Sequence, residues 1–414
     1  MTPTIAIVGA GARGLIYARA AAADGRGRVV AVAEPDPARR AVLAAEHGLP
    51  DTACYAGWAE LAAVPKLADA VVIATQDHMH TEPAVAFARL GYDILLEKPM
   101  APTEPEARAI TEAVERAGVI FAVGHVLRYT PYTRALKEIV SSGRLGSVSS
   151  VQHLEPVGWW HQAHSFVRGA WRESAGSGPM LLTKSCHDID WLLHVLEDQP
   201  VSVASFGSLT HFRPENRPEG AGARCVSCAV ESGCPYSAKR LYLGCLGDPK
   251  SEFWPLGPVT PDATPAGVMS ALETGPYGRC VYACDNDVVD QQVVIMEFAG
   301  GATVSFTMTA FTPLEHRKTR IFGSHGYAEG DGRTIRVVDF TTGAEEVVDS
   351  QNGVGASLAD GHGGGDAGLT RVFLEAVATR DQARLGADAE AALAGHRVVW
   401  AAERARRTRT VQAL

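Results

Sequence analysis

The stretch ILLEKPMAP, Ile94 to Pro102, carries residues whose types could do chemistry. Three apolar residues run straight into Glu97, Lys98 and Pro99. A lysine fixed at the mouth of a sheet keeps a positive charge where an alkoxide develops, and the proline behind it removes backbone freedom. The plain alternative is a strand end with two charges in solvent. A second pattern lies in IAIVGAGARG, where Gly9, Gly11 and Gly14 make G-x-G-x-x-G. Between a strand and a helix, these glycines permit a tight turn, backbone approach to a pyrophosphate and close helix–strand packing. The helix start supplies free N–H groups for the phosphates. Glu34, 20 residues after Gly14, stands where a carboxylate would accept hydrogen bonds from a ribose 2′-OH. That favours NAD, while Arg13, Arg39 and Arg40 keep NADP open.

A third pattern is cysteine. ARCVSCAVESGC places Cys225, Cys228 and Cys234 as C-x2-C-x5-C, and Cys245, Cys280 and Cys284 follow. Thiolates at this spacing suit tetrahedral zinc. The expected ligands of a structural zinc are Cys225, Cys228, Cys234 and Cys284, with Cys280 as the alternative fourth. Unligated thiols, disulfides and an iron–sulfur cluster are ranked behind it.

The elements that must position these groups follow from periodicity. Short β-rich runs alternate with alanine-rich helical runs over the first 125 residues. Strands are expected at Thr4–Val8, Val29–Ala33, Ala70–Ala74, Tyr92–Leu96 and Val119–Val123. Helices are expected at Gly14–Ala23, Pro37–His47, Glu82–Leu90 and Glu104–Ala117. This reads as a parallel, doubly wound Rossmann sheet over 1–125. In such a sheet ligands bind beyond the carboxyl ends of the strands. Lys98, the loop ATQDHMH with Thr75 and His80, and GHVLRY with Arg128 and Tyr129 all open on that rim. Residues 126–414 read as an α+β domain with an open, largely antiparallel sheet. One long helix is expected at Met180–Leu196, a Cys-rich insertion at about 210–287, a Gly-rich loop at Gly361–Gly368 and two closing helices. His362 in that loop is a ligand-contact candidate, because the surrounding glycines let backbone come close.

Composition bounds the partners. The chain has 414 residues, 46% of them hydrophobic, and a net charge of -9. A nucleic-acid surface is not expected without a basic patch, and no apolar run reaches a membrane span. The first residues lack an export signal, so a cytoplasmic location is expected.

With the Gly9-x-Gly11-x-x-Gly14 loop, the His80 loop, Glu97-Lys98-Pro99 and the α+β second half in place, the chain resembles the Gfo/Idh/MocA family of sugar and cyclitol oxidoreductases. The resemblance covers essentially the whole chain. It implies NAD(P)-dependent oxidation of a secondary hydroxyl on a sugar-like ring, and a homo-oligomer, dimer or tetramer, through the second sheet. It implies a cofactor set of Gly9, Gly11, Ala12, Arg13, Gly14, Glu34, Thr75, His80, Glu97 and Lys98. The family's second motif, a Gly-rich helix entry with Asp and then His four residues later, maps onto GSGPMLLTKSCHDID. His187 matches the catalytic histidine beside Lys98, and Asp190, one turn on, could orient it. The Asp position is Thr183, a departure for which the adjacent Lys184 could compensate. Arg128, Tyr129, Thr183, Lys184 and His362 are the implied substrate contacts. Two other activities fit this family pattern: glycoside cleavage by transient oxidation and elimination with retained NAD, and non-catalytic NAD-dependent regulation.

Overall fold

The computed structural model describes residues 2–23, 25–351 and 362–414. Gly361, the expected start of the glycine-rich loop, lies outside the described residues. Strands β1 (Thr4–Val8), β2 (Arg28–Ala33), β3 (Cys54–Tyr55), β4 (Ala70–Ile73), β5 (Asp93–Leu96) and β6 (Phe121–Val123) form an all-parallel sheet. Its order is β3-β2-β1-β4-β5-β6. β4 and β5 are buried at every residue, as expected of apolar strands covered on both faces. The order reverses between β1 and β4, which makes the crevice beyond their carboxyl ends the ligand position of the fold. The two-residue edge strand β3 is too short to show a period and was not expected from sequence.

The second sheet has nine strands, β7 (Val148–Pro156), β8 (Pro200–Ser208), β9 (Gln291–Phe298), β10 (Thr303–Thr309), β11 (Lys318–Gly323), β12 (Gly326–Gly330), β13 (Thr334–Asp339), β14 (Glu345–Asp349) and β15 (Gln412–Ala413). Their order is β14-β13-β12-β11-β7-β10-β9-β8-β15. Every pair is antiparallel except β7 with β10. Val294, Met296 and Phe298 of β9 face the core at alternate positions. The other face leaves Phe206 and Ile295 exposed.

Three departures from the sequence reading affect the site. Met180–Leu196 is not one helix but two, Met180–Thr183 and Cys186–Leu196, with Ser185 off helical geometry at φ -115°, ψ 12°. The apolar periodicity runs on through the interruption and hides it. The helix Gly365–Thr379 follows the second sheet in sequence but packs on the first: Leu369, Phe373 and Leu374 join Ile5, Ile7 and Tyr17 in one core. The last helix, Ala389–Thr408, gives Ala392 and Leu393 to the first sheet's core and Val398, Val399 and Ala402 to the second's. The two sheets are thus bolted together by the end of the chain. Among the described residues no helix is long and apolar enough to cross a membrane.

Candidate active site

The glycine loop has the shape a dinucleotide requires. Gly9 sits at φ +93°, and a Cβ there would lie 2.5 Å from the Ala74 carbonyl oxygen. A Cβ at Gly14 would lie 1.9 Å from the Gly9 carbonyl oxygen, so only glycine lets the helix lie this close to β1. A Cβ at Gly11 would meet nothing within 4 Å, which leaves the helix entry open to a phosphate. Ala12 is the first residue of the helix Ala12–Ala23. Glu34 is buried at the end of the loop after β2 and accepts from the Ala10 N–H (2.7 Å) and the Asp36 N–H (2.9 Å). It therefore braces the glycine loop. Arg40 donates to the Glu34 carbonyl and Arg39 pairs with Asp36 at 3.7 Å. These residues fit a bound NAD.

Arg13, one of the three arginines that kept NADP open, is engaged by side chains of the network around Glu97. It donates to Glu97 Oε1 (2.5 Å), Tyr17 Oη (2.7 Å) and Asp366 Oδ1 (2.6 Å). Glu97 also accepts from Tyr17 Oη (2.7 Å), and its second oxygen accepts from the Lys98 backbone N–H (2.8 Å). Burial pushes the Glu97 carboxyl up, but Arg13 and Lys98 outweigh it and hold the group ionised. Asp366 in turn pairs with His362 Nδ1 at 2.9 Å. One polar network thus links the glycine loop, the lysine loop and the late glycine-rich loop. His80 is fully buried and bonds the Pro99 carbonyl through Nδ1 (2.8 Å) and the Thr75 carbonyl through Nε2 (3.3 Å). It braces the lysine loop from the other side.

Lys98 reaches across to the second motif: its Nζ donates to the Thr183 carbonyl at 2.5 Å, where the helix is interrupted. His187 is the second residue of the next helix. It is buried, and its Nδ1 has no hydrogen-bond partner. Burial lowers the affinity of its imidazole for a proton, and the neighbouring Lys98, His362, Arg317 and His125 lower it further. His187 is neutral at pH 7 with a nitrogen free to accept a proton. Its ring lies 5.6 Å from that of His362, centroid to centroid. Asp190 does not orient His187, contrary to expectation. It accepts from Arg128 Nε and Nη2, both at 2.6 Å, and from His125 Nδ1 at 2.9 Å.

Arg128 is accordingly buried in an ion pair beneath the cleft, and Tyr129 Oη donates to the Leu385 carbonyl at 2.9 Å. Neither is free for substrate in this arrangement. Lys184 pairs with Glu155 at 3.0 Å, and Arg317 contacts Glu155 at 2.9 Å and Asp188 at 2.6 Å. His153 closes the set by bonding Asp188 at 3.2 Å and the Thr319 hydroxyl at 2.8 Å. Burial lowers the Lys184 ammonium pKa against the pull of Glu155. Glu155, Arg317, Asp366 and Tyr17 were not singled out from sequence. Only Asp366 carried a signal, its place four residues after His362. The Trp171 indole donates to the buried Asp77 (3.0 Å), while His164 bonds Tyr242 Oη (2.8 Å) and stacks on Tyr277.

Cys225, Cys228, Cys234 and Cys280 line one cavity of about 220 Å³, and Cys284 does not. Among the described residues, the one set of three potential metal ligands with all ligand atoms within 4.8 Å of one another is His125, Cys186 and His396. His396 has no lone pair to spare, since Nδ1 bonds the Ala392 carbonyl and Nε2 accepts from the Met100 N–H.

Comparison with known proteins returns matches along the chain. Residues 4–125 match the model of the oxidoreductase family, NAD-binding Rossmann fold, GFO_IDH_MocA. Residues 137–414 match its C-terminal alpha/beta domain. YteT of Bacillus subtilis (strain 168), which carries the name of an oxidoreductase, is 28% identical over 269 residues, 64% of this chain and 60% of that protein. Inositol 2-dehydrogenase 2 of Saccharopolyspora erythraea is 34% identical over 200 residues, 47% of this chain and 54% of that protein. The chain thus spans less than two thirds of the length of these curated relatives. A levoglucosan dehydrogenase solved with NADH and levoglucosan superimposes with a TM-score of 0.73 at 17% identity, over 100% of this chain and 99% of that one. An oxidoreductase from Agrobacterium radiobacter solved with NAD+, L-tartaric acid and magnesium gives 0.73 at 14% identity, over 100% and 98%.

Proposed function

The chain belongs to the Gfo/Idh/MocA oxidoreductase family, and from that premise we propose that it oxidises a secondary hydroxyl of a sugar, glycoside or cyclitol. The observation that carries this reading is the neutral His187 with an unpartnered buried nitrogen, set against the cation of Lys98. NAD, when bound, supplies the hydride acceptor. Lys98 holds its ammonium where the substrate oxygen becomes an alkoxide, and His187 takes the hydroxyl proton. Glu155, Lys184 and Arg317 give the substrate side of the cleft a polar wall matched to several hydroxyls. Inositol 2-dehydrogenase and 1,5-anhydro-D-fructose reductase among the relatives support this substrate class. A screen of polyols and glycosides that follows NADH and released aglycone together tests the reading. Stoichiometric NADH from a polyol supports it; a protein that binds NAD and turns over neither class refutes it. Aglycone release without net NADH would favour the elimination chemistry instead, for which His362, held by Asp366 beside His187, is a second imidazole in place.

The same proposal covers cofactor choice, domain organisation and assembly. A dinucleotide domain over 1–125 and a substrate domain over 126–414 divide the work. NAD is preferred to NADP, because the Glu34 carboxylate repels a 2′-phosphate. Glu34→Ala should weaken NAD binding by about 1–3 kcal/mol, one to two hydrogen bonds' worth. A fluorescence titration in which wild type binds NADP more tightly than NAD overturns the assignment. The exposed Phe206 and Ile295 on the outer face of β8 and β9 fit a homo-oligomer contact. A single monomeric species in sedimentation rules that out. The cysteine insertion is read as a structural metal site, zinc being the ion its spacing suggested.

A further inference from the structure

The thiols of the insertion separate into two kinds. Cys245 Sγ donates to the Leu241 carbonyl and Cys284 Sγ to the Cys280 carbonyl, each at 3.3 Å, as ordinary free thiols do. Among the described residues, the thiols of Cys225, Cys228, Cys234 and Cys280 donate no hydrogen bond, and these four share the cavity of about 220 Å³. Cys225 and Cys280 are buried.

Zinc fits this cavity poorly. With about 2.3 Å from metal to each sulfur, a tetrahedral site draws its sulfurs to about 3.8 Å of one another. No three of these thiols lie within 4.8 Å of one another. A wider inorganic core reaches thiols that stand farther apart than a single ion draws them.

Charge points the same way. Arg168 is 1% exposed and lines the cavity. Its guanidinium donates to the Arg279 carbonyl (2.8 Å), the Tyr236 carbonyl (2.8 Å) and Cys225 Sγ (3.5 Å). Among the described residues no carboxylate pairs with it. A buried guanidinium without a counter-charge is costly, and ligated thiolates would supply that charge. The Gly222 N–H also points at Cys228 Sγ (3.3 Å), a donor to sulfur of the kind that tunes cluster sites.

We propose that Cys225, Cys228, Cys234 and Cys280 hold a [4Fe–4S] cluster against Arg168. On assembly the four thiols release four protons, and each sulfur bonds one iron of a core whose four irons and four sulfides come from a cellular cluster donor. The cluster clasps the two ends of the insertion, already bridged by Arg224 and Arg279. It thereby fixes the roof that the insertion lays beside the cleft, where Trp254 packs on Trp160 and His161. Its role is structural.

The test is anaerobic purification of the full chain, with iron, zinc and acid-labile sulfide measured together. About four irons and four sulfides per chain are expected, with a broad visible absorbance bleached by dithionite. Cys228→Ser and Cys280→Ser should each lose most of the iron, whereas Cys245→Ser and Cys284→Ser keep it. Should the first pair fail to fold, reconstitution of aerobically purified wild type with ferrous iron and sulfide gives the answer. About one zinc per chain without sulfide overturns the cluster, as does wild-type protein that takes up no iron and sulfide.

Discussion

His187→Ala is expected to lower turnover by about 10² to 10⁴, the usual loss on removing a general base. The size follows from what the site offers in its place. His187 is buried and neutral, with Nδ1 unpartnered. A water occupying the space left by the imidazole would stand beside the Lys98 cation as a far weaker base. Lys98→Ala should lose a similar factor, because it removes the cation that the Thr183 carbonyl positions through Nζ while Glu97 fixes the Lys98 backbone N–H. Cofactor affinity should stay near wild type in His187→Ala, since no part of the glycine loop depends on it. The double mutant should cost much less than the product of the singles, as for groups that act on one proton transfer. The pH profile adds a second check. Burial and the surrounding cations hold the His187 pKa well below 6.5, so the base stays available as pH falls through 6.5. The acid limb of kcat/KM should therefore lie below that point. Near wild-type turnover in His187→Ala would remove it from the chemistry and make Lys184 or His362 the next residue to replace.

What the sequence made legible was local. The G-x-G-x-x-G loop, Glu34 and the placement of Lys98 at a strand end each depend on fewer than about forty consecutive residues and on the strand–helix period. What stayed hidden was contact across long separations. Arg13 kept NADP open because it lies close in sequence to the glycine loop, yet Asp366, which ties it down, lies 353 residues away. Arg128 was a substrate contact implied by the family resemblance, yet its carboxylate partner is 62 residues on. Nothing in the spacing of either residue encodes its partner. The interruption at Ser185 was hidden for a different reason: the apolar period survives it. Cys284 and Cys280 are close to one another in sequence, and only the cavity distinguishes them.

Arg128→Ala is expected to destabilise the fold by about 3–5 kcal/mol, since it strands a buried carboxylate. Asp190 is 1% exposed and takes both short bonds from Arg128 together with His125. Burial alone would push its carboxyl up, but Arg128 and then His125 carry it well below the usual range. The sign of the pH effect follows. A carboxyl depressed in the folded state adds stability that is present above its unfolded pKa of about 3.9 and is lost as pH falls toward the folded value. Wild type should therefore lose stability progressively below about pH 5, and Asp190→Asn should flatten that part of the curve. Chemical denaturation across pH measures both. The paired replacement Arg128→Met with Asp190→Leu should recover much of the loss, because removing both charges leaves neither one buried alone. If Arg128→Ala instead leaves stability unchanged and raises KM for the substrate, the guanidinium faces the ligand and the ion pair described here is not its working state.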